Sequence, residues 1–452
     1  MPSSSGVPTS TAPLLSSSVQ ILPIQTLQPE FFERAWASIP HPTLPLIATA
    51  HAKSITVFSL STLSSHSVAT KGHGRSVRTV AWRPGLPPDR LCMVSGSFDA
   101  TAAIWRWEGE RLEKEITLNN VGGGGDDGAD NDEDECDWEF TMVLDGHETE
   151  IKSCAFSPSG DLLATCSRDS SIWIWQDYGD EEEDEWETVA TLTDHEGDVK
   201  TVAWCPDVPG RNRVGRKLYS AHVLASSGYD NTARVWRQDH TSDWVCVSVL
   251  EGHEGIVWGL QWEPKPKDKL FPRIMTCSSD ATIRVWTRHE DADGGNGTDE
   301  DEEAEDDSAN GGMKTASWDQ LGGIPNTMRK PLREQWECTA VLPKAHDGQI
   351  YSISWSADTG NVASTGSDGL MVLYKESEER DGQAEDCSGD HKPASPSWSV
   401  LTKMPLAHGS YEVNHVTWCR RYDSGSTRKG EEEMLVTSGD DGLVKAWEVK
   451  TI

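Results

Sequence analysis

Long apolar runs are absent from this 452-residue chain. None approaches the ~20 residues that a membrane-spanning helix needs. The opening stretch MPSSSGVPTSTAPLLSSS carries no Arg or Lys. It lacks the charged start and apolar core of a secretion signal, and the basic character of a mitochondrial presequence. A soluble intracellular protein is expected. Paired cysteines are absent too. Cys92, Cys136, Cys154, Cys166, Cys205, Cys246, Cys277, Cys338, Cys387 and Cys419 stand singly, with no Cys-x-x-Cys among them. Clustered ligand spacing for zinc or an iron–sulfur group is therefore missing. A disulfide framework is not expected in a cytosolic chain. Several of these thiols lie in β-like runs, where cysteine packs as a small apolar residue. No phosphate-binding loop, nucleophile elbow or metal motif occurs. The expectation is a non-enzyme with no catalytic residue, no metal site and no cofactor of its own.

What is present is unevenly distributed. The hydrophobic fraction is 36%, low for one globular unit, yet there are 20 Trp. That combination points to a real core diluted by polar insertions. The net charge of −34 is concentrated in segments 122–137, 177–185, 289–310 and 376–390, which hold 33 acids against one base, Arg380. Such segments are expected to be solvated, disordered loops that aid solubility, with acidic partner-docking tails as the other reading.

A unit recurs along the chain: Gly-His or a relative, an apolar run such as V-x-x-V-x-W, Ser/Thr-x-x-Asp, and six residues later an aromatic. GHGRSVRTVAW leads to Asp99 and Trp105, GHETEIKSCAF to Asp169 and Trp175, and DHEGDVKTVAW to Asp230 and Trp236. GHEGIVWGLQW leads to Asp280 and Trp286, AHDGQIYSISW to Asp368 and Tyr374, and AHGSYEVNHVTW to Asp441 and Trp447. A worn first copy, ERAWASI, leads to Ala52 and Phe58. Alternating apolar patterns flank each copy, with Gly, Asp, Ser and Asn at the breaks, as short antiparallel strands and tight turns require. This is the WD-repeat signature of an all-β, seven-bladed propeller.

The repeated polar residues read as structural. His73, His147, His195, His253, His346 and His408 are expected to link to the turn aspartates and to a strand Ser or Thr. Trp105, Trp175, Trp236, Trp286 and Trp447 join them; in blade three the hydroxyl is Ser167 or Thr165. Buried polar groups must be paired, and one active site is not built six times over. The chain ends five residues after Trp447, so the last blade has three strands. The alternation in VQILPIQTLQ, residues 19–28, is expected to supply the fourth and remove two sheet edges. Residues 1–18 are then a disordered tail. Residues 19–452 form one propeller, with disordered insertions at about 122–137, 177–185, 289–335 and 376–397.

In WD propellers the loops joining strand d to a, and b to c, share the top face. All four acidic runs follow a strand-c aromatic, which puts them at the bottom. Three positions per blade should point up around the channel: the two flanking the first apolar residue of strand a, and the one before the turn Asp. They are Arg34, Trp36 and His51; Ser76, Arg78 and Phe98; Glu150, Lys152 and Arg168; Asp198, Lys200 and Tyr229. Blades five to seven give Ile256, Trp258 and Ser279; Gln349, Tyr351 and Ser367; Glu412, Asn414 and Asp440. Arg34, Trp36, Arg78, Phe98, Lys152, Arg168, Lys200, Tyr229, Trp258 and Tyr351 are the candidate protein-binding residues, because Arg and bulky aromatics dominate interface energetics. Arg168 is either aimed at a partner or paired with Glu150 on its own blade. Nucleic acid fits poorly, since Glu150, Asp198, Glu412 and Asp440 share this face and the acidic loops repel phosphates.

The runs RSVRTVAWRPG, SGSFDATAAIW, GHETEIKSCAFSPSGDLLATCSRDSSIWIW, LASSGYDNTARVW and HGSYEVNHVTW resemble the WD-repeat subunit of the cytosolic iron–sulfur protein assembly machinery. The resemblance spans all seven blades; the large acidic loops depart from that family's compact form. It implies a docking subunit, a monomer within a hetero-complex. Its partners would be a small MIP-type targeting factor, a HEAT-repeat adaptor, a hydrogenase-like iron–sulfur carrier and apo-protein clients. Some clients of the family are recognised through a C-terminal tail with an aromatic residue and an acidic end. The implied location is the cytoplasm, with the nucleus as a second site; no membrane is involved. Two other classes stay open: a substrate receptor of a ubiquitin ligase, and a generic chromatin or RNA-processing scaffold. Against the first, the stretches WRWE, WQDY, WRQD and WTRH carry no W-D-x-R.

Overall fold

The computed structural model describes residues 19–108, 138–179, 185–207, 223–239, 242–266, 271–289, 333–377 and 397–451. Among them are 28 strands and no helix, arranged as seven four-stranded antiparallel sheets. The innermost strands are β2 (Ala35–Pro40), β6 (Val77–Trp82), β10 (Ile151–Phe156), β14 (Val199–Trp204), β18 (Val257–Trp262), β22 (Ile350–Trp355) and β26 (Val413–Arg420). Each packs against the next, and β26 packs against β2, so the ring closes.

Burial follows strand position. Second strands such as β11 (Leu162–Ser167) and β15 (Val223–Gly228) are buried at every residue. Their sheets are covered on both faces by neighbouring blades, so small and β-branched residues run continuously instead of alternating. A fourth strand such as β13 (Trp186–Leu192) is exposed along its middle. The core thus lies between blades. One cluster joins Leu46 and Val57 of blade one to Val80, Met93 and Trp105 of blade two. The indole at the end of an inner strand staples its blade to the preceding one. Trp82 donates to the Ile39 carbonyl, Trp204 to that of Ala155 and Trp262 to that of Ala203, each at 2.9 Å.

The ring is closed by the first strand. β1 (Val19–Thr26) pairs antiparallel with β28 (Val444–Thr451), from Val19 opposite Thr451 to Thr26 opposite Lys445. β28 in turn joins β27 (Glu433–Gly439) and β26. The chain then crosses the turn of blade seven at Gly442, whose φ is 76°. A Cβ there would stand 2.3 Å from the Phe31 carbonyl oxygen, so only glycine admits the crossing.

The tail 1–18 and most of each acidic insertion lie outside the described residues, and so does their expected disorder. The strands that flank them are the third and fourth of blades two, three, five and six. Some insertion edges belong to the blades. Asp177 pairs with Arg83 at 2.7 Å, Glu334 with Arg237 at 2.7 Å, and Ser377 N–H donates to the Ser397 carbonyl at 2.7 Å.

Candidate protein-binding face

In every blade the pairing of the first strand with the second slips by one residue. The slips fall between Ala35 and Ala37, Val77 and Thr79, Ile151 and Ser153, and Val199 and Thr201. The others fall between Val257 and Gly259, Ile350 and Ser352, and Val413 and His415. The residue left unpaired by each bulge is Trp36, Arg78, Lys152, Lys200, Trp258, Tyr351 or Asn414. A bulge re-aims the side chain it frees. All seven line one central cavity of about 240 Å³.

The ring is knit by rings and charges. Arg34 and Arg78 both lie over the Trp36 indole, at 4.6 and 4.1 Å from its centroid. Trp36 tilts against Phe98 at 5.7 Å, and Lys152 sits 5.8 Å from the Phe98 centroid. Lys200 lies 5.6 Å from Tyr229 and 4.9 Å from Trp258. Trp258 meets Tyr351 edge-on at 5.3 Å, and the Tyr351 hydroxyl donates to Glu412 at 3.0 Å. Asn414 donates to Asp440 at 2.8 Å, and Asp440 pairs with Arg34 at 2.8 Å. The seam in this circuit lies between Lys152 and Lys200, two cations on adjacent blades. Each has its own acid: Glu150 pairs with Lys152, and Asp198 with Lys200 at 2.9 Å. Burial lowers the Lys152 pKa, Glu150 raises it, and Lys200 and Arg78 depress it further.

Arg168 is exposed at the tip of its turn. Its backbone N–H donates to the Glu150 carbonyl at 3.1 Å. The same clamp recurs from Phe98 to Ser76, Tyr229 to Asp198, Ser279 to Ile256, Ser367 to Gln349 and Asp440 to Glu412. The Glu150 carboxylate is taken by Lys152, and among the described residues the Arg168 guanidinium has no ion pair or hydrogen bond. Pairing of Arg168 with Glu150 is therefore not what the structure has.

Blade one departs from the sequence reading. His51 pairs with Ser54 across a two-residue turn, whereas Cys166 pairs with Ile172 in blade three. Blade one lacks the counterpart of Arg168. His51 instead lies within the sheet, bonded to the Thr56 hydroxyl at 2.8 Å and stacked against Phe31 at 3.6 Å. It is not a rim residue.

The repeated polar residues meet inside their blades. His73, His147, His195, His253, His346 and His408 place Nδ1 at 2.8–3.2 Å from the carboxylates of Asp99, Asp169, Asp230, Asp280, Asp368 and Asp441. Their Nε2 atoms meet Ser95, Thr165, Ser226, Thr276, Ser364 and Thr437 at 2.7–2.9 Å. In blade three the hydroxyl is Thr165, while Ser167 caps the Thr149 carbonyl. Trp105, Trp175, Trp236, Trp286 and Trp447 donate to the same hydroxyls at 2.8–3.0 Å. One tautomer satisfies every atom: Nδ1–H donates to Asp, and the hydroxyl accepts from indole and donates to Nε2. Burial works against ionisation of Asp169, but hydrogen bonds from His147 and Ser171 outweigh it and hold its pKa well below the ordinary 3.8. In blade six Tyr374 takes the tryptophan's place, fully buried.

The described cysteines are mostly interior, and burial pushes the Cys154 thiol up to about 12. Among the described residues no group of three His, Cys, Asp or Glu is placed to hold a metal ion. Sequence reasoning missed the bulges and the indole staples. It also missed that Arg78 alone among the ring cations lacks an acid two residues before it.

The family model for the WD domain, G-beta repeat, matches residues 58–106, 138–176, 186–237, 244–287 and 336–375. A probable cytosolic iron-sulfur protein assembly protein 1 of Pyricularia oryzae is 54% identical over 446 residues, covering 96% of this chain and 97% of that protein. The protein of the same name from Neurospora crassa is 50% identical over 478 residues, 98% of each chain. That from Chaetomium globosum is 49% identical over 471 residues, 97% of each.

Proposed function

This chain belongs to the WD-repeat family of cytosolic iron-sulfur protein assembly protein 1, and we propose that it works as a non-catalytic docking scaffold of the cytosolic iron–sulfur assembly machinery. In that role it helps hand clusters to cytosolic and nuclear apoproteins, with the cluster as cargo and no cofactor resident on this chain. The observation that carries the reading is identity near one half, sustained over almost the whole length, with relatives of that name. Protein partners meet the propeller, and we assign the top face to them. Arg34, Trp36, Arg78, Phe98, Lys152, Arg168, Lys200, Tyr229, Trp258 and Tyr351 offer cations and ring faces together. An acidic, aromatic chain end suits such a surface by charge-assisted hydrogen bonding and stacking. The partners we propose are a small MIP-type factor, a HEAT-repeat adaptor, a hydrogenase-like carrier and apo-protein clients. Neither nucleic acid nor membrane is among them.

Affinity purification of the tagged full-length protein from its native cell tests this. Recovery of the MIP-type factor with iron–sulfur clients is expected, from cytosolic and nuclear extracts. Recovery of a ubiquitin-ligase adaptor, or of histones, in their place would overturn it.

A further inference from the structure

Three of the seven ring residues are cations, and they stand on consecutive blades. Two are neutralised locally by a carboxylate two residues earlier: Glu150 for Lys152 and Asp198 for Lys200. The matching position in blade two is Ser76. Arg78 is half-buried at the cavity mouth, and its only direct partner among the described residues is the Trp36 ring beneath it. Stacking uses the face of a guanidinium and leaves its in-plane N–H donors unspent. Five such donors in a fixed fork are matched by a carboxylate or a phosphate, and by little else. Arg78 also carries a penalty that an anion would reduce: burial lowers its pKa to about 10 and Arg34 lowers it further, while Glu150, Asp440 and Tyr351 restore only part. The next residue on each of the three strands, Thr79, Ser153 and Thr201, also lines the cavity, as does His415, which feels the Arg78 charge; the Thr79 hydroxyl itself meets the Cys154 sulfur at 3.7 Å.

The geometry points to a small-oxyanion site in the central channel, held by the Arg78 guanidinium with Lys152 and Lys200 as flanking charges. The ligand class is a compact phosphate or carboxylate, sized to a cavity of about 240 Å³. The site shares Arg78, Lys152 and Lys200 with the docking face assigned above, but binding of a small ion needs no partner, because these residues all lie within one chain.

The experiment is calorimetric titration of inorganic phosphate into the isolated full-length protein, at ionic strength held constant with sodium chloride. The wild type should bind one phosphate saturably, and its melting temperature should rise with phosphate concentration. Arg78→Gln should weaken binding at least about tenfold, the loss typical of a charge-assisted pair. Arg168→Gln, outside the cavity, should leave it unchanged. Ser76→Asp gives Arg78 the acid that blades three and four already carry; it should abolish phosphate binding in a fully folded protein, so the test survives if Arg78→Gln misfolds. Acetate competing with phosphate assigns the site to carboxylates as well; acetate without effect assigns it to phosphate. Absence of saturable binding, or equal binding by wild type, Arg78→Gln and Ser76→Asp, overturns the site. Neither result touches the partner purification, so the two readings fail separately.

Discussion

Two sets of residues run round this propeller under opposite rules. The His, Ser/Thr, Asp and aromatic set is nearly the same from blade two to blade seven, and its atoms meet at nearly the same distances each time. The bulge residues occupy one backbone position in all seven blades, yet they are Trp, Arg, Lys, Lys, Trp, Tyr and Asn. Repetition marks what every blade needs in order to fold. Divergence at a fixed geometry marks positions where the scaffold imposes no identity, which is why we assign them to recognition. The difference is energetic as well as statistical. Members of the repeated set bond to one another, and each leaves another unsatisfied when removed; the bulge residues line a central cavity instead.

The largest effect should come from breaking the repeated set. Asp230 accepts from His195, from the Thr232 hydroxyl and N–H, and from the Glu196 N–H. Asp230→Ala orphans all of these in blade four. A loss of roughly 2–5 kcal/mol in unfolding free energy is expected, read by chemical denaturation. A loss under about 0.5 kcal/mol, the range of ordinary surface changes, would mean the set is not structural.

Acid should act first on histidines outside the set and then on the set's aspartates. Burial lowers the pKa of His41, His51 and His415 to about 4 from the ordinary 6.5, Arg78 adding to the effect at His415. Between those values the unfolded chain binds protons that the folded one does not, so stability falls as pH drops from about 6.5. The turn aspartates 99, 169, 230, 280, 368 and 441 are held below 3.8 because hydrogen bonds outweigh burial. Their contribution is fully present above 3.8 and is lost as pH falls through the depressed values. Melting temperature should therefore decline from neutral pH and fall again below about pH 4. A melting temperature flat from pH 7 to 4 would contradict the histidine part.

Blade one sharpens the contrast, and it also shows how far sequence reads. The strand order, the turn aspartates and the closing strand were legible because each follows from a period or from an unpaired edge. The six-residue count from turn to aromatic holds in blade one as well, from Ala52 to Phe58. That count starts at the turn, so it cannot register a residue lost just before it, and His51 was assigned to the rim when it belongs to the sheet. The bulges were invisible for a related reason. An apolar pattern fixes which side chains face the core, but not where strand pairing slips by one residue. The unmatched Arg78 was legible in principle, from Ser76 standing where Glu150 and Asp198 stand, but only once the pairing of those acids was known. With no tetrad to lose, blade one should respond mildly: His51→Ala removes one hydrogen bond to Thr56 and the stack on Phe31. About 1–2 kcal/mol is expected, less than Asp230→Ala. An equal or greater loss would show that blade one anchors the ring closure through this histidine.

The smallest effect on stability should come with a large effect on binding, at Arg168. Its guanidinium has no described partner to lose, and the backbone clamp to Glu150 does not depend on the side chain. Arg168→Glu should stay within about 0.5 kcal/mol of the wild type, with the same melting curve. It places a carboxylate beside Glu150 on the face that we assign to acidic, aromatic chain ends. An exposed Arg at the edge of a wider cationic and aromatic surface draws its worth from the partner. Capture of clients should then fall on the order of tenfold, the scale of an interface hot spot, and the activity of cytosolic iron–sulfur enzymes should fall with it. Salt resolves the cause: if the contact is electrostatic, raising ionic strength should weaken wild-type capture toward the mutant level. Capture unchanged in Arg168→Glu at low salt would mean that partners dock elsewhere, and that divergence at the rim has a different origin from recognition.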